Sequence, residues 1–249
     1  MLEIRNLTVE YFSDNKAVTI LDKINFSLSK GKSCAIIGSS GCGKSTFLRS
    51  VAGLERLKTG EVLFEGRRLS NKESCISFMP QNYGLLPWKK VRDNILLPQK
   101  IKRKYNEARF NYLINKLGIA DLLERYPREL SGGQQQRVSL ARTFLLAPDL
   151  LLMDEPFSAL DAITRENMQD IFLNLWQENN MTTLLVTHYV EEAVYLGQLI
   201  VIMAPYPRGI AEVIENPLFG SSDLRNKAEF FSMGREIRKK IREVSEINE

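Results

Sequence analysis

The chain is poor in histidine, tryptophan and cysteine, with one, two and three of these residues among 249. Cys34, Cys42 and Cys75 are odd in number and lack metal-site spacing, so neither a disulfide framework nor a zinc site is expected. This usage favours a reduced, cytosolic setting. No apolar run approaches the roughly 18 residues of a membrane-spanning helix, and the opening MLEIRNLTVEYF does not have the pattern of a signal peptide. We therefore expect a soluble chain.

The chain also has little excess of positive over negative charge, since its formal net charge is only +4. Two basic clusters, at 100–104 and 238–240, have the ordinary interpretation of solvated helix faces. This excess does not indicate nucleic acid as a partner. A content of 44% hydrophobic and 26% charged residues is typical of a globular protein with a sizeable core, and one domain with an inserted lobe is expected.

Short apolar runs recur along the chain and predict strands. They are SCAIIG at 33–38, CISFM at 75–79, LLLMDE at 150–155, TLLVTH at 183–188 and LIVIM at 199–203. Most are apolar at successive positions, which is typical of strands buried on both faces of a mainly parallel sheet. Between the strands at 150–155 and 183–188 a helical stripe is predicted, formed by Met168, Ile171, Phe172, Leu175 and Trp176. The alternation indicates an α/β fold.

Three stretches depart from this alternation. GEVLFEGRRLS at 60–70 predicts an antiparallel hairpin that turns at Glu65 and Gly66. Residues from about 92 to 128 have helical patterns and many charges, and from about Asp223 an amphipathic tail helix presents Phe230, Ile237, Ile241 and Val244. We therefore divide the single domain, 1–249, into a core with an antiparallel β-subdomain (1–82 and 138–215), a helical subdomain (83–137) and a helical tail (216–249).

The stretch GSSGCGKST at 38–46 matches the phosphate-loop pattern G-x-x-x-x-G-K-[ST] between a predicted strand and a predicted helix. Glycines let successive N–H groups point inward as an anion nest, and the helix N-terminus adds a positive dipole. Lys44 is expected at the β- and γ-phosphates and Ser45 at Mg²⁺. An ordinary glycine turn is the alternative, and the strand and helix context argues against it. The candidate nucleotide-binding residues here are Gly38, Ser39, Ser40, Gly41, Cys42, Gly43, Lys44, Ser45 and Thr46.

A second chemical feature is the apolar strand LLLMDEP, which ends in two acids. Its carboxylates are expected at the carboxyl edge of the sheet, where the phosphate loop also opens. Asp154 is predicted to hold Mg²⁺ through its water shell, and Glu155 to orient and polarise the attacking water. An exposed acidic turn is the alternative, but two carboxylates beside four apolar residues need a cation or a proton.

The stretch LSGGQQQR at 130–137 decides among the many classes of NTPase. Its glycine pair before a predicted helix is a second anion site, in which Ser131 and the N–H groups of Gly132 and Gly133, followed by Gln134, are the candidate phosphate contacts. The stretch is the signature sequence of ATP-binding cassette (ABC) proteins, and at least residues 1–205 resemble that family. The resemblance implies a P-loop NTPase with a mainly parallel core sheet, an antiparallel β-subdomain and an inserted α-helical subdomain.

The resemblance also implies a head-to-tail homodimer that encloses two ATP molecules. The signature of one subunit would close over the γ-phosphate bound by the loop of the other. Matching positions give further roles: Tyr11 stacks on adenine, Gln81 reaches Mg²⁺ and the attacking water, Asp161 contacts the opposite site and His188 contacts the γ-phosphate. Two alternatives stay open for Tyr11, namely that the neighbouring Phe12 does the stacking and that Tyr11 is a core aromatic.

Two positions, Tyr189 and Cys42, need separate comment beside the family pattern. Tyr189 follows His188 where an aspartate is common, a change that touches no catalytic role. Cys42 inside the phosphate loop raises the hypothesis of a redox switch.

The stretches QNYGLLPW at 81–88 and LDAITRE at 160–166 resemble cassettes of nitrate, sulfonate and taurine importers. The resemblance implies a bacterial ATPase at the cytoplasmic face of the membrane, bound to two permease subunits near Leu85, Leu86, Pro87 and Trp88. It would act indirectly with an extracytoplasmic solute-binding protein. Three alternatives stay open: a soluble ABC ATPase acting on nucleic acid or an iron–sulfur assembly partner, a regulator without turnover, and a Trp88 that merely packs the helical subdomain.

Overall fold

The structure is a computed structural model that describes residues 1–13, 16–69, 75–206, 209–221 and 223–246. It forms two compact units, Met1–Ser74 with Thr182–Glu249, and Cys75–Met181. In chain order the strands are β1 (Leu2–Ser13), β2 (Lys16–Leu28), β3 (Ser33–Gly38), β4 (Thr59–Phe64), β5 (Arg67–Arg68), β6 (Ile76–Met79), β7 (Leu150–Asp154), β8 (Thr182–Val186), β9 (Leu199–Ala204) and β10 (Gly209–Glu215). The α-helices are α1 (Lys44–Val51), α2 (Val91–Lys102), α3 (Glu107–Leu117), α4 (Gly132–Phe144), α5 (Ala162–Asn179), α6 (Val190–Leu196) and α7 (Ala228–Glu246).

The first unit contains an antiparallel sheet in the order β2-β1-β4-β5. The predicted hairpin is confirmed, since β4 and β5 pair antiparallel with Leu63 opposite Arg68. Its turn residues Glu65 and Gly66 both have positive φ, 53° and 75°, as two-residue hairpins require. Ser70, at the end of the predicted hairpin, lies outside the described residues.

The same unit contains the strands β10-β9-β3-β8 in that order. β3 runs parallel to both β8 and β9, whereas β10 is antiparallel to β9. Every residue of β3 and β8 is buried, which confirms the two-sided burial predicted from their continuous apolar runs. The phosphate loop leaves the carboxyl end of β3, and His188 follows the end of β8.

The tail helix α7 also belongs to the first unit, and its predicted amphipathic character is confirmed. Phe230 and Ile237 are buried, and Ile241 and Val244 are half-buried. Lys240 on this helix forms an ion pair with Glu212 of β10 at 2.5 Å.

The second unit combines the parallel pair β6 and β7 with helices α2 to α5. The predicted stripe on α5 is confirmed, because Met168, Phe172, Leu175 and Trp176 are buried while Ile171 is half-buried. Edge-to-face contacts of Phe172 with Phe144 and Phe157 connect α5 to α4 and to the segment after β7. Residues 83–137, predicted as a helical subdomain, lie within this unit and contain no strand among their residues, all of which are described.

Two predicted strands end earlier than their apolar runs suggest. β7 stops at Asp154 because Glu155 has the left-handed φ of 48°, which cannot continue a ladder. β8 stops at Val186, so His188 lies in the turn that precedes α6. In the described ranges no helix is both long and apolar enough to cross a membrane.

Candidate nucleotide site

The phosphate loop of the first unit has a backbone that depends on glycine. A Cβ on Gly38 would lie 2.2 Å from the carbonyl oxygen of Met203, so only glycine fits against β9 there. Gly41 and Gly43 have φ of 78° and 96°, which side chains disfavour. Gly43 then caps α1, whose first N–H groups have no partner within the helix. This geometry fits an anion nest at a helix start.

Lys44 lies folded into this loop, with only 5% of the residue exposed. Its Nζ donates to the carbonyl oxygens of Gly38 at 3.0 Å and Ser39 at 2.8 Å. Both acceptors are neutral carbonyl groups, so these two bonds do not neutralise the buried ammonium. The positive end of the α1 dipole lies beside it. A phosphate group would supply the missing negative charge, and the loop therefore fits a nucleotide.

Tyr11 lies beside the same loop. Its hydroxyl is 3.5 Å from Oγ1 of Thr46 on α1, and 39% of the residue is exposed. This exposure disagrees with the alternative of a core aromatic. Phe12 is 80% exposed and has an available ring face as well, but the contact with Thr46 favours Tyr11 as the ring at the loop.

His188 is exposed at the start of the turn after β8. The residue before it, Thr187, is buried and donates its backbone N–H to the carbonyl oxygen of Ile36 on β3 at 3.1 Å. Tyr189 donates its backbone N–H to Oγ1 of Thr187 at 3.0 Å. The histidine is thus held by its neighbours at the edge of the sheet from which the phosphate loop emerges. Tyr189 takes part in this arrangement through its backbone N–H.

In the second unit, Gln81 and Glu155 meet. Met79 of β6 pairs with Met153 of β7, so the residues two positions beyond each partner leave the same edge of the strand pair. Nε2 of Gln81 donates to Oε2 of Glu155 at 3.0 Å. The residue predicted to sense the nucleotide therefore touches the predicted general base directly.

The signature lies in the same unit at the start of α4. Ser131 is the N-cap: its hydroxyl accepts from the N–H of Gln134 at 3.3 Å, and Oε1 of Gln134 accepts from the N–H of Ser131 at 3.0 Å. This capping box leaves the N–H groups of Gly132 and Gly133 at the exposed helix end. The Ser131 hydroxyl retains a proton to donate, so the group fits a phosphate oxygen.

Asp161 occupies another N-cap, at the start of α5. Its carboxylate accepts from the N–H of Thr164 at 3.0 Å. This hydrogen bond lowers the pKa of the Asp161 carboxyl from its ordinary value, so the side chain is an anion at neutral pH. The cap gives Asp161 a structural role beside the predicted contact with an opposite site.

The predicted Mg²⁺ donors are a hydroxyl, an amide and a carboxylate, from Ser45, Gln81 and Asp154. Oxygen donors of this kind suit Mg²⁺, which is usually held by few protein ligands together with substrate phosphates. Within the described ranges, no group of three or more His, Cys, Asp or Glu side chains is arranged to hold a metal ion. Ser45 belongs to the first unit and Gln81 and Asp154 to the second, so their joint role at Mg²⁺ stays a prediction.

Comparison with known proteins agrees with this geometry. Residues 21–158, more than half of the chain, match the family model described as ABC transporter. The chain belongs to the ABC transporter family.

Relatives of this ABC cassette include named import subunits. It is 40% identical over 237 residues to the aliphatic sulfonates import ATP-binding protein SsuB of Bacillus cereus, covering 95% of this chain and 92% of the relative. The nitrate import ATP-binding protein NrtD of Synechocystis is 34% identical, with 97% and 95% covered. The taurine import ATP-binding protein TauB of Escherichia coli O157:H7 is 38% identical, with 85% and 83% covered.

Solved structures confirm the predicted fold class. The dimeric post-hydrolysis state of the ATP-binding cassette MJ0796, bound to ADP and Pi, matches with a TM-score of 0.76 and 27% identity. The match covers 86% of this chain and 98% of that one. This ABC cassette is therefore an ATPase subunit with the mixed α/β fold of its relatives.

Sequence reasoning missed several residues that hold the site together, notably Asn94, Gln136, Ser139 and Arg142. The last three are spaced three residues apart on α4, and such spacing places them on neighbouring positions of one helix face. In the sequence these polar residues stand among the apolar residues Val138, Leu140, Ala141 and Phe144. Gln136, Ser139 and Arg142 donate to main-chain carbonyl oxygens, and Asn94 bonds both carbonyl oxygens and the N–H of Leu86. Sequence patterns do not reveal such main-chain partners.

The buried Cys42 gives a prediction about thiol chemistry. Burial raises the pKa of its thiol, and the nearby Lys44 ammonium offsets part of that rise. Since the thiolate is the reactive form, we expect iodoacetamide at pH 7.5 to modify the half-buried Cys75 first and to leave ATP hydrolysis unchanged. Because burial also raises the pKa of Cys75, its labelling should accelerate as pH increases. Intact-mass spectrometry against time, in parallel with phosphate release, provides the measurement.

The matched control is Cys75→Ser, which should lose the early label and keep full activity. Early inactivation that Cys42→Ser prevents would contradict the prediction and support a redox role for Cys42.

Proposed function

We propose that this chain is the ATP-hydrolysing subunit of an importer and works as a head-to-tail dimer at the cytoplasmic face of a bacterial membrane. The observation that carries the proposal is the 3.0 Å contact between Gln81 and Glu155, in a chain related to three import subunits. By its relatives' names, a small anionic or zwitterionic solute such as a sulfonate, nitrate or taurine is the transported class. The solute need not touch this chain.

Each residue has a distinct task in the proposed hydrolysis. Lys44 and the N–H groups of the phosphate loop neutralise the β- and γ-phosphates, and the signature of the second copy, through Ser131, Gly132 and Gly133, completes the site. Glu155 orients the attacking water and accepts its proton, while His188 donates to a γ-phosphate oxygen. Bound Mg²⁺, held by Ser45 and through water by Asp154, would supply additional positive charge at the phosphates.

Nucleotide also acts as an element of the proposed dimer interface. A γ-phosphate that contacts the loop of one copy and the signature of the other links the two chains. Cleavage and release of that phosphate remove the link, so the dimer opens. Gln81 lies on the route from this event to the membrane subunits, because it bonds Glu155 and immediately precedes the loop that contains Trp88.

That loop has the properties of a permease contact. Trp88 is 71% exposed, which disagrees with the alternative that it packs the interior of the helical subdomain. Asn94, fully buried, accepts from the N–H of Leu86 at 2.7 Å. Its amide also donates to the carbonyl oxygens of Leu86, Lys89 and Lys90 at 3.1, 2.9 and 3.2 Å. A rigid loop that displays an exposed indole suits docking of another protein.

Replacing the general base tests the chemistry. In Glu155→Gln the amide cannot accept the proton from water, so we expect hydrolysis to fall at least about a hundredfold. ATP affinity should be retained, because the phosphate loop is unchanged. The trapped nucleotide should raise the mass measured by light scattering to that of a dimer.

Glu107→Gln, an exposed position in the first turn of α3, controls for loss of one negative charge. If Glu155→Gln hydrolyses ATP at the rate of the parent, Glu155 is not the general base.

Replacing the exposed indole tests the importer role. Because Trp88 is solvent-exposed, Trp88→Ala should leave the melting temperature and basal hydrolysis unchanged. It should abolish most solute uptake, or permease-stimulated hydrolysis, in vesicles that contain the permease encoded with this cassette.

Ile101→Ala is the matched control, since Ile101 is also 71% exposed and lies on α2. If Trp88→Ala keeps the solute uptake and the permease-stimulated hydrolysis of the parent, the docking role is contradicted. Co-purification of the parent with nucleic acid or an iron–sulfur assembly protein, instead of a permease, would favour the alternative class.

A further inference from the structure

Helix α4 does more than begin at the signature. Three of its side chains bond main-chain carbonyl oxygens in two catalytic turns, which we define as the glutamine turn (residues 81–84) and the glutamate turn (residues 155–158). We propose that Arg142, assisted by Gln136 and Ser139, is a positioning residue that keeps Gln81 and Glu155 in contact. This inference rests on the proposed ATPase function.

The glutamine turn is held at its carbonyl groups. Arg142 donates from Nη1 to the oxygen of Gly84 and from Nη2 to the oxygen of Tyr83, each at 2.6 Å. Ser139 donates its hydroxyl to the same Tyr83 oxygen at 3.0 Å. A planar guanidinium that bonds two successive carbonyls fixes both the position and the orientation of the peptide units.

This turn needs such support because its backbone is strained. Tyr83 and Gly84 both adopt left-handed φ, at 61° and 60°. For a residue with a side chain, such as Tyr83, this conformation is unfavourable, and residues in such regions persist only where their surroundings hold them. Tyr83 lies two residues after Gln81 in this turn, so relaxation of Tyr83 would displace the Gln81 side chain from Glu155.

The glutamate turn is held by the same helix. Nε2 of Gln136 donates to the carbonyl oxygen of Pro156 at 2.7 Å, in a buried environment. Pro156 directly follows Glu155, whose own φ of 48° is left-handed. One helix face therefore bonds both turns whose side chains meet at 3.0 Å.

The start of α4 contacts the glutamine turn too. A Cβ on Gly132 would lie 3.9 Å from the Tyr83 hydroxyl, which places the signature against that ring. The signature, Tyr83 and Arg142 thus form a continuous set of contacts within the second unit, and Gln81 lies two residues before Tyr83 in the same turn. In a dimer, a phosphate bound at the signature would act on a helix that also sets the geometry of the chain's own general base.

The bond pattern also distinguishes Arg142 from an ordinary surface arginine. Both of its described bonds go to backbone carbonyls and neither goes to a carboxylate. Burial lowers the pKa of its guanidinium. This partly desolvated cation bonds the backbone of a turn instead of a carboxylate. Arg109 has the same character: burial lowers its pKa as well, and its Nε and Nη2 donate to the carbonyl oxygen of Phe144 at 2.9 and 2.8 Å.

Arg109 thereby offers a matched control. It bonds the last residue of α4 and Asn179 of α5, neither of which belongs to the two catalytic turns. Arg142→Met and Arg109→Met each remove one half-buried guanidinium and its backbone bonds. A purely structural role predicts similar consequences for both, whereas a positioning role predicts a difference in turnover.

The test measures kcat for Mg-ATP, the Kd of a fluorescent ATP analogue and the melting temperature for both variants. We expect Arg142→Met to lower kcat about tenfold or more, which corresponds to at least about 1.4 kcal/mol, with Kd within twofold of the parent. Arg109→Met should keep kcat within twofold of the parent, while its melting temperature falls about as much as that of Arg142→Met. Equal falls in kcat for the two variants would overturn the proposal.

A double-mutant cycle with Gln81→Ala shows whether Arg142 acts through Gln81. We expect Gln81→Ala with Arg142→Met to hydrolyse ATP within twofold of Gln81→Ala alone, and multiplied effects would overturn the proposal. If Arg142→Met does not fold, Ser139→Ala replaces it, because this change removes one bond to the same turn. We then expect kcat to fall about threefold. In the Gln81→Ala background, adding Ser139→Ala should cause no further fall. A parent without ATP hydrolysis would instead refute the proposed function, so the two failures are distinguishable.

Discussion

Two helix starts, whose first backbone N–H groups lie outside the helix hydrogen-bond ladder, are the constraint on which the rest of this structure depends. The start of α1 follows a glycine-dependent loop that contains Lys44, and the start of α4 follows Ser131. Both are suited to phosphate oxygens, yet one chain has only one lysine-bearing loop. They belong to different compact units. A nucleotide shared between two copies of the chain satisfies both helix starts, and this is the physical basis of the proposed dimer.

The second unit contains both residues that we propose act on the attacking water. Its parallel strand pair delivers Gln81 and Glu155 to one edge, but strand register alone does not hold two left-handed turns in place. The bonds from α4 to the carbonyl groups after each residue supply that support. The signature and the proposed general base, Glu155, are thus connected by one helix. A change at the helix start has a short, bonded route to Gln81 and Glu155.

Much of the site was predictable because its residues follow local rules. The glycine pattern, the apolar strands that precede Gly38 and Asp154, and the hairpin turn at Glu65 and Gly66 each have a sequence signal with a physical cause. Core burial followed as well, since continuous apolar runs require two covered faces. The resemblance to ABC proteins assigned roles to Gln81, Asp161 and His188 that spacing alone would not have given. Those roles stay predictions.

What sequence could not supply was mostly backbone geometry. The strand at 150–155 ends at Asp154 because Glu155 is left-handed, and no residue preference predicts a positive φ for glutamate. β1, β2 and β10 were not predicted individually, since their partly exposed faces weaken the apolar pattern. Arg142 donates to carbonyl oxygens 58 and 59 residues earlier in the chain, and Asn94 donates to the carbonyl oxygens of Leu86, Lys89 and Lys90 in the loop before its own helix. Only the folded positions of those carbonyls reveal the two residues as supports.

The central claim is that neither helix start completes a hydrolytic site within one chain. Its most direct test is the dependence of phosphate release per chain on protein concentration. Sedimentation velocity, run in parallel without nucleotide, would identify the range in which monomers predominate. In that range the account predicts that specific activity rises with concentration and then saturates as dimers form. Constant specific activity in solutions that contain only monomers, with ATP present, would contradict it.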